Sequence, residues 1–148
     1  LLLDLLPDEI SEIKVIHTGN HADDFVLHSG KNGPELFAGD RKTRIPDEKV
    51  NHEKLERYTS YFINIIYDYT FKEEKGSQIS FSEEPEYIVE VTSSAGKHFE
   101  MKVYPMKVNG ETSLFEAGIK YNGEPDMLVI RYLVIDLILQ DIDQFIGE

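Results

Sequence analysis

Short runs in which every second residue is apolar constrain this chain more than any other sequence feature. Two such runs cover residues 87–91 and 99–103, and their alternating apolar residues are Tyr87, Val89, Val91, Phe99, Met101 and Val103. Because successive side chains of a β-strand point to opposite faces, each run predicts a strand with one apolar face. The turn-forming segment 94–97 (Ser-Ala-Gly-Lys) lies between them, so the two runs predict a β-hairpin.

Two more hairpins are predicted on either side of this one. Residues 10–27 contain two strand-like runs, and the turn signal Ser29–Pro34 separates the second run from a returning strand at Glu35–Ala38. Further on, Phe115–Tyr121 and Met127–Tyr132 flank the polar connection 122–126 (Asn-Gly-Glu-Pro-Asp). Asn109-Gly110 predicts another turn, so most of the chain is expected to form an antiparallel sheet.

A helical pattern interrupts the strands. Pro46 and Asp47 predict a helix start, with Asp47 as the N-cap, and the helix is expected to extend from Glu48 to about Ile66. The apolar residues that recur there at steps of three and four are Leu55, Tyr58, Phe62, Ile65 or Ile66, and Tyr69. A short C-terminal helix or turn is expected over residues 133–146. The predicted fold is therefore α+β: an antiparallel sheet built from hairpins, one long amphipathic helix and a short C-terminal helix.

The length of 148 residues fits one domain, 1–148, with one core. The chain begins Leu1-Leu2-Leu3 rather than with Met, so we expect it to be truncated. The leucine-rich start is too short for a transmembrane helix and lacks the basic flank of a signal peptide.

Charge excludes two classes of partner. The chain has 28 acidic and 15 basic residues, a formal net charge of -13. Binding to nucleic acid needs clustered Lys and Arg, and docking to an anionic membrane surface needs the same, so neither is expected.

Enzyme signatures are missing from the sequence. There is no cysteine, which excludes thiol catalysis and cysteine-ligated zinc. Nucleophile-elbow, phosphate-loop, dinucleotide-binding, His-Glu-x-x-His and EF-hand motifs are also absent. We therefore predict a protein that is not an enzyme and has no cofactor, and we assign no catalytic residue.

The strongest candidate for chemistry is the segment 17–24. His17, His21, Asp23 and Asp24 offer two imidazoles and two carboxylates within this short stretch and could bind zinc or another divalent ion. A solvated polar loop between two strands explains the same residues, and we favour that interpretation. We therefore predict no metal site, although the sequence alone does not decide the question.

Two other groups of residues have stronger structural explanations. Adjacent carboxylates occur at 73–74, at 83–86 and at Asp141 with Asp143, as expected by chance in so acidic a chain. Aromatic residues are dense between Tyr58 and Phe71 and could line a sugar or ligand groove. Most of them recur at helical core spacing, which favours packing.

The order of these elements resembles one bacterial family. Three segments carry the resemblance: Ile45–Asn51 opening a helix with Tyr58 and Phe62, the hairpin from Tyr87 to Pro105 with its Gly96-Lys97 turn, and the last hairpin Tyr121–Tyr132. Together they resemble the Bacteroidetes branch of a domain family of unknown function. Its better-known members are described as gliding-motility or ABC-transporter auxiliary proteins. The resemblance runs from about Ile10 to Phe145.

The resemblance implies an extracytoplasmic domain anchored to the bacterial cell membrane through an N-terminal segment that this chain lacks. It implies no catalytic residues. We therefore predict a non-catalytic cell-envelope domain that binds an envelope or transporter protein, using a sheet edge near Glu35–Ala38 or Met127–Tyr132. A small-molecule or carbohydrate-binding module is the alternative, and a metal-dependent hydrolase built on the 17–24 segment is a weaker one.

Overall fold

A computed structural model describes residues 2–147, and its main feature is one nine-stranded antiparallel sheet. The strands are β1 Ile10–His17, β2 Phe25–Gly30, β3 Gly33–Ala38, β4 Tyr69–Thr70, β5 Ile79–Phe81, β6 Tyr87–Ser93, β7 His98–Val108, β8 Glu111–Tyr121 and β9 Leu128–Arg131. Two α-helices, α1 His52–Thr59 and α2 Tyr132–Ile135, join them. Single 3₁₀ turns occupy Pro7–Glu9, His21–Asp23, Asp47–Lys49, Ser60–Phe62 and Ile142–Phe145.

The strand order is β3-β2-β1-β6-β7-β8-β9-β4. The long strand β7 pairs with β6 along its first half and with the short strand β5 along its second half. Each predicted hairpin is present: β2 turns into β3, β6 into β7, and β8 into β9. At the β7–β8 turn, Asn109 and Gly110 both have positive φ, at 53° and 82°. Asn and Gly adopt positive φ more readily than other residues, so the turn predicted from this dipeptide is confirmed. The predicted α+β class with a hairpin-built sheet is confirmed.

The prediction of one long helix from Glu48 to Ile66 is wrong. Asp47 opens only a 3₁₀ turn, and Val50 is extended and forms a β-bridge with Ile146. The real N-cap is Asn51, whose side-chain oxygen accepts a 3.1 Å hydrogen bond from the amide of Lys54. The helix ends at Thr59 and continues only as a 3₁₀ turn to Phe62.

Hydrogen bonds from side chains to backbone carbonyls explain why helix α1 ends earlier than predicted. The hydroxyls of Thr59 and Ser60 donate to the carbonyls of Glu56 and Arg57, at 2.6 Å each, and such local bonds compete with continued helix. Asn64 then takes a positive φ of 58° and Ile65 forms a β-bridge with Leu3. The predicted apolar face is nevertheless correct, because Leu55, Tyr58, Phe62 and Ile65 are all buried.

Helix α1 and the C-terminal segment cover one face of the sheet. Tyr58 of α1, Phe62 and Phe145 pack edge to face in a cluster with Phe25 of β2, and the ring centroids of contacting pairs are 5.2–5.6 Å apart. The C-terminal segment is less helical than predicted, since α2 ends at Ile135 and a 3₁₀ turn follows at Ile142–Phe145. Among residues 2–147, no helix combines the length and the apolar character needed to cross a bilayer.

The two predicted open sheet edges are mostly covered. Strand β3 is the last strand on its side, but residues 43–45 return along it, with Ala38 N donating to Thr43 O and Ile45 N donating to Leu36 O. Strand β9 is covered by β4, and the flanking amides of Asp68 and Phe71 donate to Val129 and Met127. Within residues 2–147 these contacts leave only short rows of free backbone donors and acceptors at the two edges, and strand pairing with a partner stays a prediction.

Candidate functional site

The loop between β1 and β2 is the predicted metal-binding segment, and it is well ordered by its own side chains. Asn20 caps the 3₁₀ turn His21–Asp23, its side-chain oxygen accepting from Ala22 N at 3.3 Å. Thr18 anchors the loop to the start of β6, because its hydroxyl donates a 2.7 Å bond to Pro85 O. These contacts fix where the loop side chains point.

Two of the four candidate ligands form a structural pair of their own. The Asp24 carboxylate is buried and accepts from the backbone amide of His17 at 2.5 Å and from His21 Nδ1 at 2.9 Å. Both of its oxygens are thereby used to close the loop. Asp24 therefore stabilises the loop conformation. The largely exposed His21 side chain lies against the Asp24 carboxylate.

His17 lies at the end of the buried face of β1. Ile13, Val15 and His17 alternate along the strand, and all three are buried. The His17 ring meets Tyr87 edge to face, with centroids 5.2 Å apart. Its Nε2 lies 2.9 Å from the carbonyl oxygen of Gln140 in the C-terminal segment. A carbonyl can only accept, so Nε2 carries a hydrogen and, in the neutral ring, the lone pair is on Nδ1.

The Nδ1 atom of His17 faces the carboxylate of Asp141, and the carboxylate of Asp23 lies nearby. The distance from Nδ1 to Asp141 Oδ1 is 3.7 Å. The ligand atoms of His17, Asp23 and Asp141 all lie within 4.8 Å of one another. Asp23 is held in place by Asn20, whose side-chain amide donates to its carboxylate at 3.0 Å. The fold thus brings together a donor cluster, His17, Asp23 and Asp141, that differs from the sequence-predicted set.

Negative charge surrounds this donor cluster. The pKa of Tyr87, the ring against His17, is raised above its usual value by burial and further by the charges of Glu86, Asp141 and Asp136. Burial, with Glu86, Tyr87 and Asp136, raises the pKa of Tyr132 to about 12. Burial is the largest cause of both pKa shifts, and the nearby carboxylates that add to it show that acidic groups are dense around the donor cluster.

The other predicted candidates contribute no ligand to the donor cluster. The carboxylates at 73–74 and 83–84 are exposed, as expected for solvated surface. Among the aromatic residues from 58 to 71, Tyr58 and Phe62 are fully buried, and Phe71 packs edge to face on Phe81. A groove of about 600 Å³ exists elsewhere, between residues 2–5 and the β6–β7 turn, and none of those aromatic residues lines it. Tyr69 and Phe71 do line a second groove of about 440 Å³, together with Glu74 and residues 75–77, so the aromatic ligand groove stays a prediction.

An exposed apolar surface was not predicted from the sequence. Leu114 is 83% exposed, Phe115 80% and Leu133 81%; we refer to these three residues as the apolar patch. Leu114 and Phe115 lie in a bulge of β8, where Ser113–Glu116 stands opposite the single β7 residue Met106. Leu133 is the second residue of α2 and lies two residues after the β9 residue Arg131, which pairs with Glu116.

The bulge is held by its own hydrogen bonds. The Ser113 hydroxyl accepts from the amides of Phe115 and Glu116, each at 3.2 Å. This local turn replaces the cross-strand bonds that the bulge interrupts, and it projects Leu114 and Phe115 outwards. Sequence patterning failed here because an apolar pair in a strand-like run normally predicts burial, and a bulge leaves no periodic signal.

Comparison of the chain with protein-family models, with curated proteins and with solved structures gave no match. Function is therefore argued from the geometry of the apolar patch and of the donor cluster.

Proposed function

We propose that this domain is a non-catalytic module that binds a protein partner through the apolar patch. The observation that carries the proposal is the near-complete exposure of two adjacent large apolar side chains, Leu114 and Phe115. Large apolar side chains exposed next to each other on a domain surface favour an interaction site.

The energy available from the patch is sufficient for a specific contact. Burying one leucine or phenylalanine side chain is worth about 1.5–3 kcal/mol. The Ser113 hydrogen bonds fix the backbone of the bulge before binding, so less conformational entropy is lost on association. Aromatic residues of this kind are common anchors of protein interfaces.

Charge defines the partner further. The chain carries a net charge of -13, and the exposed carboxylates of Glu111 and Asp136 lie close in sequence to Leu114 and Leu133. An anionic lipid surface would be repelled, whereas a protein with an apolar recess and a basic rim would be attracted. The proposed partner is therefore a protein of that description.

The family resemblance adds a location to the proposal. On that basis the domain belongs to the cell envelope, is anchored to the membrane, and binds an envelope or transporter protein. These statements rest on the order of motifs in the sequence and remain predictions.

Site-specific photo-crosslinking in the natural cells tests the proposal. A photoreactive residue at position 115 should crosslink to one protein, whereas the same residue at position 6, where Leu6 is 51% exposed, should not. The crosslinked protein is then purified and its Kd is measured against the wild type, L114S/F115S and the control L6S. We expect the double variant to bind at least about 30-fold more weakly and L6S to bind like the wild type.

Two outcomes would contradict the proposal. Equal affinity of the wild type and L114S/F115S would remove the patch from the interface. Crosslinks solely to a second copy of this chain, or binding of the purified domain to anionic vesicles through position 115, would replace the proposed partner with a homodimer or a membrane.

A further inference from the structure

We propose that His17, Asp23 and Asp141 bind a divalent transition-metal ion, with zinc as the best match to the donor set. The site joins the β1–β2 loop to the C-terminal segment, which are far apart in the sequence.

The electron-rich ligand atoms of the donor cluster lie close together, which favours a cation between them. The His17 side chain is only 9% exposed, and its Nδ1 faces the carboxylate of Asp141 at 3.7 Å. This distance is longer than a hydrogen bond of about 2.7–3.2 Å. It is close to the separation of roughly 3.3 Å between two ligands of a tetrahedral zinc ion with bonds of about 2.0–2.1 Å. Small rotations of two half-buried aspartates would complete the coordination.

Contacts behind the ligands match those found around metal sites. Metal-bound histidines usually donate their other ring N–H to a carbonyl or carboxylate, which fixes the tautomer. His17 does this through Nε2 to Gln140 O at 2.9 Å. The Asp23 carboxylate is likewise oriented by Asn20 at 3.0 Å. His17 is therefore held in position before any ion arrives, whereas the two aspartates adjust by small rotations.

The donor types select the ion. One imidazole nitrogen and two carboxylate oxygens suit zinc, whereas calcium and magnesium prefer sites made only of oxygen. Three protein ligands leave at least one position for water. Because the ligands come from the β1–β2 loop and from the residue that follows Gln140, the ion would tie these two segments together.

Zinc titration against a chromophoric chelator tests the site in the intact domain. We expect one zinc ion per chain, at least tenfold weaker affinity for D141N, and unchanged affinity for the matched control D143N. Asp143 is an exposed aspartate two residues away, so both variants change the overall charge equally. Asp141 is the preferred position because its side chain is 47% exposed and its substitution should leave the fold intact.

Histidine at the surface is the main source of adventitious binding, and H21A controls for it. H21A should keep the ion, because His21 pairs with Asp24 rather than with the donor cluster. Zinc at a hundredfold excess over Kd should raise the Tm of the wild type by about 5–10 °C and that of D141N by less. Imidazole ¹⁵N shifts should report zinc on Nδ1 of His17. Equal zinc affinity of wild type and D141N, loss of zinc in H21A alone, or a His17 imidazolium that zinc leaves unchanged would each overturn the proposal.

Discussion

The hydroxyl of Tyr58 in α1 donates a 2.7 Å hydrogen bond to the carbonyl of Ile138, 80 residues further along the chain. Both residues are completely buried. This bond attaches the C-terminal segment to α1, in the same core that packs on the buried face of the sheet. The position of Gln140 and Asp141, and therefore the geometry of the donor cluster, depends on that attachment.

Replacing Tyr58 with phenylalanine should lower the free energy of unfolding by about 1–3 kcal/mol. The ring still fits, but the Ile138 carbonyl is left buried without its donor, and an unsatisfied buried group carries a penalty of that size. Urea denaturation followed by circular dichroism measures the change. Y69F is the matched control, because Tyr69 is 42% exposed, and its effect should stay below about 0.5 kcal/mol. Equal losses in the two variants would exclude a special role for the Tyr58 bond.

The same tyrosine predicts alkaline instability. Burial raises the pKa of Tyr58 well above its usual value of 10.0. Above pH 10 the unfolded chain loses this proton while the folded chain keeps it, so the unfolded state binds fewer protons and stability falls as pH rises. Below pH 10 the contribution is fully present. The loss should be about 1.4 kcal/mol per pH unit from Tyr58.

Urea midpoints at several pH values between 8 and 11.5 measure this dependence. Above pH 10 the urea midpoint of Y58F should fall less steeply than that of the wild type, by the contribution of one tyrosine. Below pH 10 the midpoints of the two proteins should change in parallel. An identical slope in both proteins above pH 10 would assign the alkaline loss to other groups.

Asn51 sets the start of α1, so its replacement tests the corrected helix boundary. Asn51→Ala removes the oxygen that accepts from Lys54 N at 3.1 Å, and we expect a loss of about 1 kcal/mol. Asn51→Asp keeps the acceptor and should stay near the wild type. The Asp47→Ala variant tests the alternative helix start. If Asp47→Ala lowers the free energy of unfolding more than Asn51→Ala does, the helix begins at Asp47, as predicted from the sequence.

Local sequence patterns determined the hairpins but not the site. The alternation of Ile13, Val15 and His17 places His17 on the buried face, and this much can be read from the chain. That Asp141 reaches His17 depends on the path of a C-terminal segment fixed by tertiary contacts such as the Tyr58 bond. Spacing within residues 17–24 also offered His21 and Asp24 as ligands, but these two pair with each other.

Strand β5 is the element that sequence patterning missed, and Gly118 shows how it is held. A Cβ atom at Gly118 would lie 2.5 Å from Cδ1 and Cε1 of the Phe81 ring and 3.0 Å from Met127 Cγ. The ring of Phe81 therefore lies directly on the backbone of β8, and it also packs edge to face on Phe71 with ring centroids 5.0 Å apart. A three-residue strand with one such anchor leaves little periodic signal.

Gly118→Ala should therefore displace Phe81 and destabilise the domain by about 1–3 kcal/mol, because overpacking forces side chains from their preferred positions. Phe81→Leu alone should also destabilise, since it leaves space over the glycine. In the double variant G118A/F81L the smaller side chain makes room for the new methyl group, so the combined loss should be less than the sum of the single losses. Urea denaturation of the four proteins measures this coupling, and strictly additive losses would show that Phe81 does not rest on Gly118.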